Sequence, residues 1–411
     1  MKTINTCLLL IFSLMLLIPL GCSNDNNTAI VVINLGLTQQ AHHFPFFDKI
    51  LHFLMSPVYA APPTNISDIT VTITASDFSP ITKNYSPPFG VFKIEVPSGI
   101  QRTIEVLANT PSATLRGVAI VDLEPGEQSV DIYMHLYQTK IIIPDYNNYR
   151  LVQIDDMDGS GFIAINAGSI GFSGTFAPYD VDFDDIGRIY IANYASGYEN
   201  IIRINDATSS SSVVINTADF EISTVAVDRI RNYIYFADWQ TLYRCNLDGS
   251  NLKQDFDTGS MTYFEAISVD DNGNLFISCY YPSDYSIVKF NPNIGNGQII
   301  AHSPLVSYKY WDVIFKNAQC IAAYDDTSGL NDAIVILNTS NLTIVNQYGT
   351  GTTNSNPLPG QFWGPRRFVA ILNENFYLID EGVGDNLVSF SNLNFENWQR
   401  YADSFTFFSY C

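Results

Sequence analysis

The chain has 411 residues, of which 46% are hydrophobic and 13% aromatic, and its formal net charge is −21. This apolar content excludes an intrinsically disordered chain, because it buries enough surface to offset the lost conformational entropy. The negative charge argues against nucleic acid as a partner, since it repels a phosphate backbone.

Residues 1–21 have the form of an export signal. Lys2 precedes an apolar run over 8–18, which is too short and wrongly flanked to span a membrane. Cys22 and a polar stretch over 23–27 follow. This junction resembles a bacterial lipoprotein signal, although Pro19 stands where an aliphatic residue is usual. The resemblance implies that Cys22 is acylated, for example with palmitate, that 22–28 form a tether, and that the protein lies in the bacterial cell envelope at the outer membrane. An ordinary cleaved signal is the alternative.

Residues 29–137 predict a small β domain. Alternating apolar and hydroxyl residues over 69–74, and turn signals at Gly99 and Gly126, indicate six or seven short strands. We expect an antiparallel β-sandwich of immunoglobulin-like or transthyretin-like kind. An apolar insertion over 42–63 interrupts it, and we expect either a helix on the membrane surface near the lipid anchor or a segment packed against the sandwich.

Residues 138–411 repeat a unit of two short apolar strands joined by a turn. The first strands of these units begin at Ile141, Ile189, Ile234, Leu275, Cys320 and Phe376. A period of roughly 40–50 residues with several strands per unit is typical of a β-propeller. We therefore predict an all-β chain in which the sandwich is followed by a six-bladed propeller, and we expect residues 404–410 to close the ring.

Three segments resemble known propeller repeats. Residues 234–251 are similar to a YWTD repeat, and residues 142–152 and 359–380 are similar to NHL repeats. The resemblance implies the propeller fold and leaves the function open, because this fold hosts adhesion, binding and several enzymes.

Most of the repeated strands end in a polar residue at their fifth position. We expect these side chains to cap turns and to link blades through backbone N–H groups. They are Asp145, Asn193, Asp238 and Asp380, whereas Cys279 stands at this position in the fourth unit.

Aromatic residues after the repeated strands are the candidates for ligand binding. On a propeller they cluster near one face and the central channel, where rigid, flat side chains suit peptide or sugar contacts, and packing between blades is the alternative. The candidates are Tyr146, Tyr194, Trp239, Tyr280, Tyr281 and Tyr324, with Trp311 and Trp363 in preceding segments and the pair Arg366 and Arg367 as an anion contact or a salt bridge.

Catalytic and metal-binding motifs are sparse. Of the five histidines only His302 lies in the propeller segment, so neither a histidine-based metal triad nor a Ser-His-Asp set can form there. Asp156 and Asp158 have the spacing of a weak calcium site, but no Glu stands at the twelfth loop position, and an ordinary turn is favoured. We predict no cofactor. The four remaining cysteines are Cys245, Cys279, Cys320 and Cys411. We expect them to be buried free thiols, and a disulfide that involves Cys411 is the alternative.

Together these features predict a lipid-anchored cell-envelope protein whose propeller is a non-catalytic binding module for a protein, peptide or glycan. An exported metal-dependent propeller enzyme of lactonase, hydrolase or lyase type is the alternative. Three or four Asp, Glu or Asn side chains converging on the axis would favour the enzyme, whereas an aromatic-rich, carboxylate-poor mouth would favour binding.

Overall fold

The computed structural model describes residues 28–36, 66–195, 197, 200–216, 221–304, 309–316, 318–325, 331–352, 358–372, 375–380, 386–391 and 396–401. The predicted signal, Cys22, the insertion over 42–63, the closing segment over 404–410 and Cys411 lie outside these residues. The described ranges are all-β apart from one short 3-10 helix, Tyr146–Asn148. They include no helix with the length and apolar character that a membrane crossing requires.

The N-terminal part of the described chain forms two sheets around one core. Its strands are β1 Thr28–Gly36, β2 Asp68–Ala75, β3 Phe78–Tyr85, β4 Phe92–Pro97, β5 Gly99–Asn109, β6 Ala113–Leu123, β7 Gly126–Tyr133 and β8 His135–Thr139. One sheet has the order β4-β1-β7 and the other the order β3-β2-β5-β6-β8. Alternate residues such as Val31, Val71 and Val106 are fully buried and pack together between the sheets. The period-2 pattern therefore sets which face of each strand is buried.

Two details of this region differ from the prediction. β1 pairs with β7 in parallel, so the expectation of a wholly antiparallel sandwich is wrong for this pair. Because β1 and β7 are far apart in the chain, no tight hairpin forces them to run in opposite directions. β8 also crosses the boundary expected between residues 137 and 138, since it pairs with β6 up to Thr139.

Residues from Ile141 onward form a succession of antiparallel sheets. The strands are β9 Ile141–Asp145, β10 Arg150–Ile154, β11 Ile163–Asn166, β12 Pro178–Phe183, β13 Ile189–Asn193, β14 Asn200–Ile204, β15 Val213–Asn216, β16 Thr224–Asp228, β17 Tyr233–Ala237, β18 Leu242–Asn246, β19 Thr262–Val269, β20 Leu275–Tyr280, β21 Tyr285–Asn291, β22 Gln298–His302, β23 Lys309–Lys316, β24 Gln319–Asp325, β25 Ala333–Leu337, β26 Ile344–Tyr348, β27 Thr350–Gly351, β28 Gln361–Phe362, β29 Pro365–Leu372, β30 Asn375–Asp380, β31 Asn386–Phe390 and β32 Gln399–Tyr401. The antiparallel sheets are β9–β11, β12–β15, β16–β18, β19–β22, β23–β26 and β29–β32.

These sheets follow one another around an axis. Each sheet shares a buried apolar cluster with the next, and the last sheet shares one with the first, where Ile379 and Leu387 pack with Ile143 and Val152. The strands β12, β16, β19, β23 and β29, here called the innermost strands, contact one another in that order. β29 also contacts β9, which in turn contacts β12. This radial arrangement of sheets is that of a β-propeller.

The N-terminal sheets pack against one end of this axis. The backbone N–H of Leu136 donates to the Asp185 carbonyl at 2.8 Å, and His135 Nδ1 lies 2.7 Å from Asp185 Oδ2. Ser112 Oγ donates to Gln153 and accepts from the N–H of Ala207, so the contact extends to the first two sheets of the propeller. A cavity of about 260 Å³ lies between β8 and the ends of the innermost strands. None of the described N-terminal strands packs against the opposite end of the axis, which carries the candidate site.

Candidate ligand site at the axial cavity

A cavity of about 320 Å³ lies at the end of the axis where the innermost strands begin. All six antiparallel sheets contribute to its lining, which places it on the axis; we call it the axial cavity. Its lining residues are Tyr146, Tyr179, Tyr194, Ser223, Trp239, Phe264, Glu265, Lys309, Trp311, Arg366 and Arg367. Six of these eleven side chains are aromatic and four are charged, so apolar surface and strong hydrogen-bonding groups face one space.

β-bulges aim much of this lining at the axis. Register shifts occur near the starts of β12, β23 and β29, where the extra residues are Tyr179, Trp311 and Arg366, respectively. In β19, residues 263–265 lie opposite a single residue of β20, and two of them, Phe264 and Glu265, line the cavity. A bulge bends the strand and redirects a side chain, and bulges are enriched next to functional sites.

A cluster of tyrosines forms one wall. The ring centroids of Tyr146, Tyr179 and Tyr194 lie 5.2–5.8 Å apart. Tyr194 Oη donates to Glu221 Oε2 at 2.5 Å, and burial, reinforced by this carboxylate, raises the pKa of Tyr194 above its ordinary value. Trp239 stands beside this wall with 42% of its surface exposed and makes an edge contact with Tyr263. The indole is thus the most accessible aromatic surface of the lining.

Trp311 forms the opposite wall between two cations. Lys309 Nζ lies 3.3 Å from its ring centroid and Arg366 Cζ lies 3.6 Å away. At these distances both cations make close cation–π contacts with the indole. The indole N–H donates to Asp325 at 2.8 Å, and Lys309 pairs with Glu265 at 2.6 Å. Burial lowers the pKa of Lys309, while Glu265 acts in the opposite sense.

The floor of the cavity is a buried charge network. Arg367 pairs with Asp180 at 2.6 Å and donates to the Tyr179 carbonyl at 3.0 Å. Asp180 also accepts from the Thr224 hydroxyl at 2.9 Å. Asp312 accepts from the backbone N–H of Phe368 at 2.8 Å. Burial raises the pKa of Asp312 to about 7, and the positive charge of Arg367 opposes that shift. The innermost strands are thus tied together across the axis by charged groups.

The structure brings together six of the ten predicted ligand-binding residues. Tyr146, Tyr194, Trp239, Trp311, Arg366 and Arg367 line the axial cavity. The other four do not line it. Tyr324 is buried against Tyr310, Tyr280 bonds the Ser283 carbonyl, Tyr281 packs on His302, and Trp363 donates its backbone N–H to Asp380. Packing between sheets, the alternative interpretation, describes Tyr324 and Tyr281, which contribute to or pack against apolar clusters shared by two sheets. The contacts of Tyr280 and Trp363 lie within one sheet.

Five lining residues are absent from the sequence prediction, namely Tyr179, Ser223, Phe264, Glu265 and Lys309. They lie on or just before innermost strands, whereas the predicted repeat followed the second and third strands of each sheet. The detectable signal is their position ten or eleven residues ahead of each repeated strand, because antiparallel pairing brings the start of one strand next to the end of its neighbour.

Three of the polar residues that end the repeated strands accept backbone N–H groups as predicted, but these groups belong to the same sheet and do not link neighbouring sheets. Asn193 Oδ1 accepts from the Ala177 N–H at 2.7 Å, Asp238 accepts from the Gln240 and Thr241 N–H groups, and Asp380 accepts from the Trp363 and Gly364 N–H groups. Asp145 instead accepts from the side chains of Arg150 and Asn148. Burial raises the pKa of Asp380 to about 6.

The two weak calcium candidates lie in the turn after β10. Asp156 Oδ1 accepts from the Met157 N–H and Asp158 Oδ1 from the Ser160 N–H, which are ordinary turn contacts. Within the described ranges, no three His, Cys, Asp or Glu side chains are grouped so that they could hold a metal ion. Cys245, Cys279 and Cys320 are buried free thiols.

Comparisons with known proteins give matches among solved structures alone. No protein-family model and no curated protein matches the sequence. A chain of the nidogen–laminin complex matches with a TM-score of 0.47 at 14% identity, over 62% of this chain and 90% of the other. A protein of unknown function from Bacteroides caccae matches with a TM-score of 0.44 at 16% identity, over 61% and 89% of the two chains. The WD40 β-propeller domain of Doa1 gives 0.37 at 10% identity, over 55% and 68%. Matches of this strength do not assign the chain to a family.

Proposed function

We propose that this protein is a non-catalytic binding module whose ligand occupies the axial cavity. The observation that carries the proposal is the convergence of six aromatic and four charged side chains on one 320 Å³ space at the end of the axis where the innermost strands begin. Ligand sites are typically concave and mostly apolar, with a few placed polar groups that fix orientation. Binding of this kind needs no cofactor.

We further propose that the module is a lipid-anchored protein of the bacterial envelope, at the outer membrane. In this arrangement Cys22 carries the acyl chains, the two N-terminal sheets form a sandwich that serves as the stalk, and the six antiparallel sheets are the six blades. Support comes from the resemblance of the first 27 residues to a lipoprotein signal, and from the packing of β8 against the end of the axis opposite the cavity. The cavity would then face away from the stalk.

A ligand panel tests the binding proposal. The purified protein is mixed with neutral hexasaccharides (cellohexaose, mannohexaose, maltohexaose), hexagalacturonate and short proline-rich or lysine-rich peptides, and its melting temperature is followed. A ligand that binds only the folded state raises that temperature. We expect at least one component to do so in the wild type and not in Trp239→Ala, whose exposed indole contributes little to the core. No shift with any component, or an equal shift in the variant, would contradict the proposal.

Acylation is tested separately by growing cells with labelled palmitate. We expect label and membrane association in the wild type and neither in Cys22→Ser. Equal membrane association of the two proteins would contradict lipid anchoring, and it would leave the cavity proposal intact.

A further inference from the structure

The charges around the axial cavity are balanced in pairs. Lys309 lies 2.6 Å from Glu265, Arg366 lies 3.3 Å from Asp325, and Arg367 lies 2.6 Å from Asp180. Each cation of the lining therefore has a carboxylate within ion-pair distance. A ligand with a net charge would have to displace one of these partners, which leaves a poorly hydrated charge without its counterion.

The accessible aromatic surface lies opposite these pairs. Lys309 and Arg366 both lie against the Trp311 ring, so this indole belongs to the charged wall. Trp239, in contrast, is 42% exposed, and Tyr194 lines the cavity on the same side. The axial cavity thus has a flat aromatic side and a side made of paired donors and acceptors.

From this division we infer that the axial cavity takes a neutral saccharide, which enters by one end of its chain. A pyranose ring has an apolar C–H face that packs on an aromatic side chain, and its hydroxyl groups both donate and accept hydrogen bonds. Those hydroxyls match Glu265, Lys309 and Arg366 without requiring any ion pair to break. The inference rests on the proposed function of the cavity.

The size of the cavity supports entry by a chain end. The volume of 320 Å³ lies at the low end of the range of about 300–1,000 Å³ that small-molecule pockets span. This space suits a terminal ring or two, and it does not suit an extended polymer lying across the axis.

Calorimetric titration of the wild type with each panel component tests this inference. We expect binding by a neutral hexasaccharide, weaker or no binding by hexagalacturonate and the lysine-rich peptide, and little change when salt rises from about 0.05 to about 0.5 M, because screening acts on charges. Trp239→Ala should weaken binding about tenfold or more. The matched control is Tyr149→Asn, which removes an exposed aromatic ring that does not line the cavity and keeps a residue tolerant of its positive φ.

The outcomes separate the two proposals. Preferential, salt-sensitive binding of hexagalacturonate, or preferential binding of a peptide, would overturn the saccharide inference and leave the cavity as a binding site, provided that Trp239→Ala abolishes it. Neutral-saccharide binding that is unchanged in Trp239→Ala, or lost equally in Tyr149→Asn, would overturn the placement of the sugar in the axial cavity. No binding by any component would contradict both proposals.

Discussion

Arg367 is the residue on which the floor of the axial cavity depends. Its side chain is 9% exposed, and the guanidinium pairs with Asp180 at 2.6 Å and donates to the Tyr179 carbonyl at 3.0 Å. Arg367→Met keeps most of the apolar stem and removes the charge. Asp180, 14% exposed, then loses its cationic partner, and breaking a buried pair in this way costs about 3–5 kcal/mol.

Urea unfolding followed by tryptophan fluorescence measures this change. All four tryptophans, Trp239, Trp311, Trp363 and Trp398, lie in the propeller part of the chain, so the signal reports on that part. In the double variant Arg367→Met/Asp180→Asn the unpaired carboxylate of Asp180 is absent. We therefore expect it to be less destabilised than the sum of the single variants, by about 2 kcal/mol.

A second Arg–Asp pair, whose carboxylate lies on the same strand as Asp180, provides the matched control. Arg229 is 42% exposed and pairs with Asp182, which lies two residues after Asp180 on β12. Arg229→Met should cost less than Arg367→Met, because Arg229 and Asp182 are 42% and 26% exposed, so water screens this pair more than it screens Arg367 and Asp180. If Arg367→Met costs no more than Arg229→Met, or if its effect is simply additive with Asp180→Asn, the account of a buried axial network is wrong.

Three further predictions follow from burial and local chemistry. The native pKa of Asp312 is about 7, above the ordinary 3.8, so its stabilising contribution is complete below pH 3.8 and is lost as the pH rises through 7. Between about pH 5 and pH 8 this loss is about 3 kcal/mol, and urea unfolding at the two pH values should show a smaller decline in Asp312→Asn; an equal decline would contradict the assignment. Cys245, Cys279 and Cys320 are buried, and burial raises the pKa of Cys245 to about 12. Peptide mass spectrometry after thiol labelling should find these three unmodified in the native protein and modified in urea, whereas rapid native labelling would show that they are accessible. Metal analysis should find no stoichiometric metal and chelators should leave the melting temperature unchanged; bound calcium with a chelator-sensitive melting temperature would favour the enzyme alternative.

The repeated apolar strands were predictable because a strand buried on both faces gives a continuous run of apolar residues in the sequence. β9 and β25 are buried at every position, and the structure starts β9, β13 and β20 at the predicted residues Ile141, Ile189 and Leu275. β3 and the innermost strands were harder to predict. β12 reads Pro-Tyr-Asp-Val-Asp-Phe, in which carboxylates alternate with apolar residues because this strand lines a polar axis. Such a strand lacks the apolar run by which the others are recognised.

Part of the candidate site was predictable because the repeated apolar strands are easy to recognise. Aromatic residues after the repeated strands, such as Tyr194 and Trp239, were placed at one face by the repeat itself. Tyr179 and Trp311 reach the cavity through β-bulges, and a bulge of this kind has no distinct signature in a single sequence. The pairing of cations with carboxylates across different sheets likewise depends on ring geometry, which the sequence does not specify.

Hydroxyl-radical footprinting of Trp239 tests the central claim, ligand binding in the axial cavity, most directly. The oxidation rate of each exposed aromatic side chain is measured with and without the full ligand panel, and Tyr137, 49% exposed on the N-terminal sheets, serves as the internal reference. Binding in the cavity predicts slower oxidation of Trp239 and an unchanged rate at Tyr137. An unchanged rate at Trp239, or equal protection of both residues, would contradict it.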